Sequence, residues 1–181
     1  MQFSKTAAMC AALAVGGIAS SASAANFLFS YSSNDGTQGA FGQLDATANG
    51  DGTWTATSGT IQVFGNIRTG LGTLVPDPIA PLPIASPSGA FLYDDQLLPG
   101  QNPLITVYGL LFDVGSVEAN IFSNGPGPGT YEFAVWNGSS YGTDLGNFTL
   151  TYVPEPASWA CMLVGLGLMG AMLRRRKEVT V

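Results

Sequence analysis

The sequence predicts an all-β fold for the centre of this chain, an antiparallel β-sandwich or an open barrel-like sheet, with a transmembrane helix at the C-terminal end. Three observations predict it. Apolar and aromatic residues alternate in short runs, as in NFLFSYSS, TYEFAVWNG and GNFTLTYV. Gly, Asn, Asp and Ser interrupt those runs, and with 24 glycines in 181 residues the centre holds no sustained 3.6-residue stripe. Near the end, residues 157–173 hold 17 positions without a charge, ASWACMLVGLGLMGAML, closed by four consecutive basic residues.

Residues 1–24 have the three parts of a secretory signal peptide. Lys5 is the positive start, Met9–Ala19 the apolar run, and Ala22 and Ala24 frame the small-residue cleavage site. This predicts passage through the general secretion machinery, cutting by signal peptidase, and a mature chain beginning near Ala25 or Asn26. The β-rich passenger, 25–152, opens on a strand with Phe27, Phe29 and Tyr31 on one face. Asn49-Gly50-Asp51-Gly52 then separates GQLDATA from TWTATSG. That is a hairpin signal, because tight hairpin turns require residues that accept positive φ. SNGPGPG between SVEANIF and TYEFAVW predicts a second, longer hairpin, and WNGSSYGTDLGNF a third. In the strands they join, Tyr131, Phe133 and Val135 oppose Glu132, Ala134 and Trp136, and Phe148, Leu150 and Tyr152 alternate with Asn147, Thr149 and Thr151. Residues 74–89 break the rhythm. Pro76, Pro78, Pro81, Pro83 and Pro87 each lack the donor a central strand needs. The segment reads as an extended loop or edge crossover between an N-terminal hairpin set and a C-terminal meander, with its Ile and Leu side chains packed on the sheet. The count comes to about eight strands.

Charge and residue types narrow the chemistry. The passenger carries Asp35, Asp45, Asp51, Asp77, Asp94, Asp95, Asp113, Glu118, Glu132 and Asp144 against the single base Arg68, a net charge of −9. Such a surface repels phosphates, so nucleic acid is not a partner. The chain has no His, and Cys10 and Cys161 both lie outside the passenger. Disulfides, Ser-His-Asp or Cys-His catalysis and imidazole or thiolate metal sites therefore drop out there.

Carboxylate chemistry remains. Asp94 or Asp95 could form a glycosidase pair with Asp113 or Glu118. Asp94 and Asp95 cannot pair with each other if the segment is extended, because neighbours on a strand point to opposite faces. A polar turn between FLY and QLLPG is the simpler reading. Glycine-rich turns around Asp35 and Asp51, and the Asp94-Asp95 pair, offer oxygen ligands that calcium would accept, although no EF-hand spacing is complete and the same residues are what hairpin turns demand. No cofactor is required; calcium is the one ion these turns admit. Thr53, Thr55, Thr57, Thr149 and Thr151 read as exposed strand faces. Asn137-Gly138-Ser139 and Asn147-Phe148-Thr149 match the N-glycosylation sequon, which arises easily in a chain rich in these residues.

As a helix, residues 157–173 would span about 25 Å, close to the ~30 Å hydrocarbon core of a bilayer. Trp159 stands where an indole favours the interface. Arg174, Arg175, Arg176 and Lys177 form a stop-transfer cluster that stays cytoplasmic, with 178–181 as a cytoplasmic tail. The passenger then lies across the membrane, in agreement with the signal peptide. Pro154 and Pro156 end the last strand and hold Glu155 in an extended stub. An anchor needs the apolar run and the bases, but it does not need Pro-Glu-Pro.

Val153-Pro154-Glu155-Pro156, a short apolar helix and Arg174-Arg175-Arg176 together resemble the PEP-CTERM sorting signal of Gram-negative bacteria, here covering 153–177. The resemblance implies recognition and cleavage near Pro154-Glu155-Pro156 by an exosortase, an integral-membrane protease or transpeptidase. Those three residues are then a substrate site for another enzyme. It also implies an inner-membrane intermediate with the passenger in the periplasm, then a place at the cell surface or in the extracellular matrix, in association with exopolysaccharide. The passenger is similar to the Gly/Thr/Asn-rich β domains found before this signal, in its FSYS opening and GTW…GTI hairpin. The expectation is an exported, non-enzymatic protein. The alternatives are a secreted carbohydrate-binding or carboxylate-based glycan-active module, with or without calcium, and an anchor that is never processed.

Overall fold

The computed structural model describes residues 24–154, together with Leu163, Val164, Leu166 and Gly167. Within the first of these stretches the chain forms β1 (Ala24–Ser33), β2 (Gln38–Ala48), β3 (Trp54–Gly65), β4 (Gly70–Leu74), β5 (Ile84–Ala85), β6 (Leu92–Tyr93), β7 (Gln96–Leu97), β8 (Leu110–Asp113), β9 (Glu118–Ser123), β10 (Tyr131–Trp136) and β11 (Tyr141–Val153). Eight of them close into a ring in the order β1-β2-β3-β4-β8-β9-β10-β11, with β11 returning to β1 and every neighbour antiparallel. Of the two architectures that the sequence left open, the barrel-like one is present, and it is closed.

The alternating pattern produces this directly. Ala25, Phe27, Phe29 and Tyr31 of β1 point inward, while Leu28, Ser30 and Ser32 point out. Phe29 meets Phe112 of β8 at 5.6 Å and Phe148 of β11 at 5.9 Å, and Tyr31 meets Phe133 of β10 at 5.7 Å. The Phe29–Phe112 contact thus joins opposite walls across the middle. An eight-stranded barrel is just wide enough for side chains to fill, so the interior is a packed core. Each buried aromatic adds about 2 kcal/mol of transfer free energy. The Tyr31 hydroxyl donates to the Asp144 carbonyl at 2.7 Å, satisfying its one polar atom.

The hairpins stand where the turn residues placed them. Gly50 and Gly52 adopt positive φ between β2 and β3, and Ala48 opposes Trp54. Tyr131 opposes Ser123, and Trp136 opposes Tyr141. The proline-rich segment does connect an N-terminal hairpin set to a C-terminal meander, but two expectations about it need correction. It opens an insertion of residues 75–109 that carries strands of its own: β5 pairs with β6, and β7 pairs with the start of β3. Its Ile79 and Leu82 are exposed rather than packed on the sheet.

The insertion instead covers the outer face of β8–β10 through polar bonds. Asn120 donates to the Leu92 and Tyr108 carbonyls at 3.2 and 3.0 Å, the Tyr141 hydroxyl donates to the Ala90 carbonyl, and Glu118 accepts from Ser86, Ser88 and the Ser88 amide. That cover buries Leu111 and Ala134, which face outward from the barrel wall.

The ring is weakest between β4 and β8, where Thr73–Asp113 and Leu74–Phe112 are the paired residues. Below them the strands separate, and Arg68 fills the seam, its guanidinium donating to the carbonyls of Val114 and Gly115. Buried Gln38 holds the loop that delivers Arg68: its amide nitrogen donates to the Phe64 and Arg68 carbonyls, and its oxygen accepts from the amides of Ile67 and Arg68.

Candidate functional site

The C-terminal signal starts where the barrel ends. The last pair of the β1–β11 ladder is Asn26–Val153, and Pro154, exposed, follows at once. A proline cannot donate to a ladder, so its position marks the end of pairing. β1 and β11 run antiparallel, so the front of β1 and the back of β11 lie side by side. Ala24, where the sequence predicts the signal-peptide boundary, and Pro154, where the Pro-Glu-Pro stretch begins, thus lie at the same end of the barrel. Ala22, Glu155, Pro156, Arg174, Arg175, Arg176 and Lys177 lie outside the described residues, as does most of 157–173. Leu163, Val164 and Leu166 are helical and exposed. Among the described residues, no helix is long and apolar enough to cross a membrane.

The candidate carboxylates do not converge on one cleft. Asp35 accepts from Ser33 and from the hydroxyl and amide of Thr37, and Asp51 accepts from the hydroxyl and amide of Thr53. These bonds, formed within single turns, hold both carboxyls below the usual range. Asp94 and Asp95 belong to the insertion and are buried, not set in an exposed turn. Asp95 has φ 50°, so the segment is kinked where the opposite-faces argument supposed it extended. Asp94 accepts from the Thr106 hydroxyl at 2.7 Å and from the Gln96 amide, and burial raises its carboxyl.

Asp95 is fully buried. Its carboxyl takes the Asp77 amide at 2.8 Å and the Leu111 amide at 3.4 Å, and burial pushes its pKa up to about 8 against those two bonds, with the charges of Asp77 and Asp94 adding to the rise. Asp95 therefore pins the insertion to the barrel through the Leu111 amide, whereas the side-chain bonds of Asp94 stay within the insertion. Asp113 and Glu118 oppose each other across the β8–β9 hairpin, but Glu118 is engaged by Ser86 and Ser88, and Asp113 accepts from the Ser116 amide. Among the described residues, no three acids gather in a metal-holding group.

Sequence reasoning missed a groove. On the outside of β1–β4, in the arc the insertion leaves bare, lies a depression of about 790 Å³. The registers set its lining in rows. Leu28, Gln43, Thr60 and Thr73 run across β1 to β4, with Phe41, Gln62 and Leu71 in the next row. The depression exists because Gly42 and Gly72 face the core without side chains. A Cβ on Gly42 would stand 2.0 Å from the Thr60 carbonyl and 2.8 Å from the Phe29 ring. One on Gly72 would stand 2.5 Å from the Asp113 carbonyl and 3.0 Å from Ile61. The wall lies directly on the core at both points and dips inward. The available signal was glycine at core-facing positions of otherwise regular strands.

Fold and termini together define a class: a compact β-barrel passenger whose last strand runs straight into a tripartite C-terminal sorting tail. Residues 153–177 match the PEP-CTERM protein-sorting motif, so the chain carries an exosortase-type sorting signal that marks it for export and membrane-associated sorting. The match covers the tail and leaves the barrel unassigned. No curated protein and no solved structure matches the chain.

Proposed function

We propose that the mature protein is a non-enzymatic barrel of the cell surface or extracellular matrix, structural or associated with exopolysaccharide. Signal peptidase would release the front end at Ala24, and an exosortase-type membrane protease would act at Pro154-Glu155-Pro156. Before that second cut the passenger would stand in the periplasm, held to the inner membrane by residues 157–173 and the cluster Arg174–Lys177. The observation that carries the reading is the sorting-motif match beginning at Val153, the last ladder residue. Cutting beyond it leaves every strand of the barrel intact. Support for the non-enzymatic part comes from the candidate carboxylates, which are committed to turns and to the insertion instead of facing one another across a cleft.

Fractionation tests the pathway. With Pro154-Glu155-Pro156 replaced by three alanines, the precursor should accumulate in the inner membrane at its unprocessed mass. Normal maturation and release of that variant would refute the assignment. The intact mass of the native mature protein separates processing from permanent anchoring, since cleavage near Pro-Glu-Pro removes roughly 25 residues of tail.

A further inference from the structure

We propose that the groove on the outer face of β1–β4 is a binding site for a neutral, hydroxyl-rich chain, an uncharged oligosaccharide segment of a polysaccharide. This deepens the exopolysaccharide reading above and rests on it for the source of the ligand. Its physical case rests on four observations.

The first is shape. At about 790 Å³ the depression falls within the size range of ligand clefts. It is built into the wall, because Gly42 and Gly72 hold β2 and β4 against the core where any side chain would push them out.

The second is the lining. Leu28, Phe41 and Leu71 are each at least half exposed, and the Phe41 ring lies 6.2 Å from that of Phe64. These side chains offer a surface on which the C–H face of a pyranose can lie. Around them stand Gln43, Thr60, Gln62 and Thr73, whose amides and hydroxyls both donate and accept, as sugar hydroxyls do. None of these four side chains has a hydrogen-bond partner among the described residues, whereas Thr53, Thr55, Thr57, Ser58 and Thr69 on the same strands and loops are all bonded.

The third is charge. The passenger has ten acids and one base, and Arg68, that base, is tied to the Val114 and Gly115 carbonyls. An anionic polymer would be repelled, and so would a second copy carrying the same −9. An uncharged partner meets no such barrier.

The fourth is the ladder itself. Gly42, Ile61 and Gly72 at the floor are paired on β2, β3 and β4. Between β2, β3 and β4 this pairing leaves no free row of amides for an extended peptide to join as a strand, and on the β8 side of β4 only the short stretch Gly70–Gly72 lacks a strand partner.

The test uses the full chain in a sugar-free polyoxyethylene detergent, titrated calorimetrically with cellohexaose, maltohexaose and, as an anionic comparison, oligogalacturonate. At least one neutral hexasaccharide should bind, with a Kd on the order of a millimolar or tighter. Phe41→Ala and Gln62→Ala should each weaken it about fivefold or more, with unchanged thermal midpoints because both side chains are exposed. Gln43→Ala gives a further variant in the same row, and Thr55→Ala, away from the groove, should bind as the wild type does. Three results would each overturn the proposal: neither hexasaccharide binds, oligogalacturonate binds as well as they do, or sugar binds but the groove variants bind it unchanged. Concentration-dependent self-association in light scattering, lost on Phe41→Ala, would also overturn it by showing that a second copy covers the face. Binding is read on purified protein and sorting on fractionated cells. A sorting failure therefore shows in the Pro-Glu-Pro variant, and a groove failure shows in the titration.

Discussion

Replacing Asp95 with Asn should remove most of the dependence of stability on pH between about 4 and about 8. In the folded barrel this carboxyl is fully buried and its pKa stands at about 8, with burial the main cause; in the unfolded chain it ionises near its ordinary 3.8. Between those values the folded state keeps a proton that the unfolded state has lost. Stability therefore falls as pH rises from about 4 to about 8 and then levels off. Four units at 1.36 kcal/mol each make the effect about 5 kcal/mol at most, a large share of the roughly 5–15 kcal/mol that holds a domain together.

The Asp95→Asn side chain would keep the bond from the Asp77 amide, now 2.8 Å long, and give up the 3.4 Å contact with the Leu111 amide. That loss costs about 1 kcal/mol. The variant should thus be slightly less stable than the wild type at acid pH and several kcal/mol more stable above pH ~8, so the two curves cross. Asp94, also raised by burial, leaves a smaller slope of the same sign. Asp35 and Asp51 are lowered, and the stability they add is lost only as pH falls below 3.8, outside the window. Urea midpoints of the full chain in detergent, measured at half-unit steps of pH, decide the matter. Parallel curves for variant and wild type would refute the reasoning.

Arg68→Met removes two charge-assisted bonds from the open seam between β4 and β8 and should cost about 2–3 kcal/mol. Hydrogen exchange should quicken first at Leu71–Thr73 and Val114–Val117; uniform quickening around the ring would show that the seam is not where the barrel opens. Gly42→Val meets the Thr60 carbonyl and the Phe29 ring, neither of which can retreat, and should lower stability by more than about 3 kcal/mol or prevent folding. For Gly39→Ala the nearest atoms are those at the far edge of the exposed Phe64 ring, 2.4 Å away. That ring can swing aside, so thermal unfolding should place its cost below about 1 kcal/mol. An equal cost at the two positions would contradict the account of the dented wall.

Much of the barrel was legible because its signals are local. Phe27-x-Phe29-x-Tyr31 and Tyr131-x-Phe133-x-Val135 alternate at the strand period, and Asn49-Gly50-Asp51-Gly52 sits in the turn it calls for. The insertion was harder to read. Its prolines ruled out a central strand, but Ile84 and Ala85 still pair with Leu92 and Tyr93. Its grip on the barrel runs through Asn120, Glu118 and Asp95, polar residues whose partners lie far along the chain, as Ser86 does from Glu118 and Leu111 from Asp95. Asp94 and Asp95 looked like a surface turn because a carboxylate is rarely buried. Only the surrounding amides and the Thr106 hydroxyl make their burial tolerable. The groove was hidden for a related reason. Gln43, Thr60 and Gln62 are ordinary outward strand residues, and nothing in their own stretches of chain says that register brings them together.

By itself, the sequence determined the all-β class, the hairpins, the acidic surface and the tripartite tail. Each of these depends on the period, the turn chemistry or the charge of residues close together in the chain. Tertiary structure alone decided that the sheet closes between β1 and β11, that Arg68 fills its weakest seam, and that two core-facing glycines dent one wall. Those outcomes depend on which backbones meet across more than a hundred residues, as Phe29 and Leu150 do, and on how much room a missing side chain leaves between them.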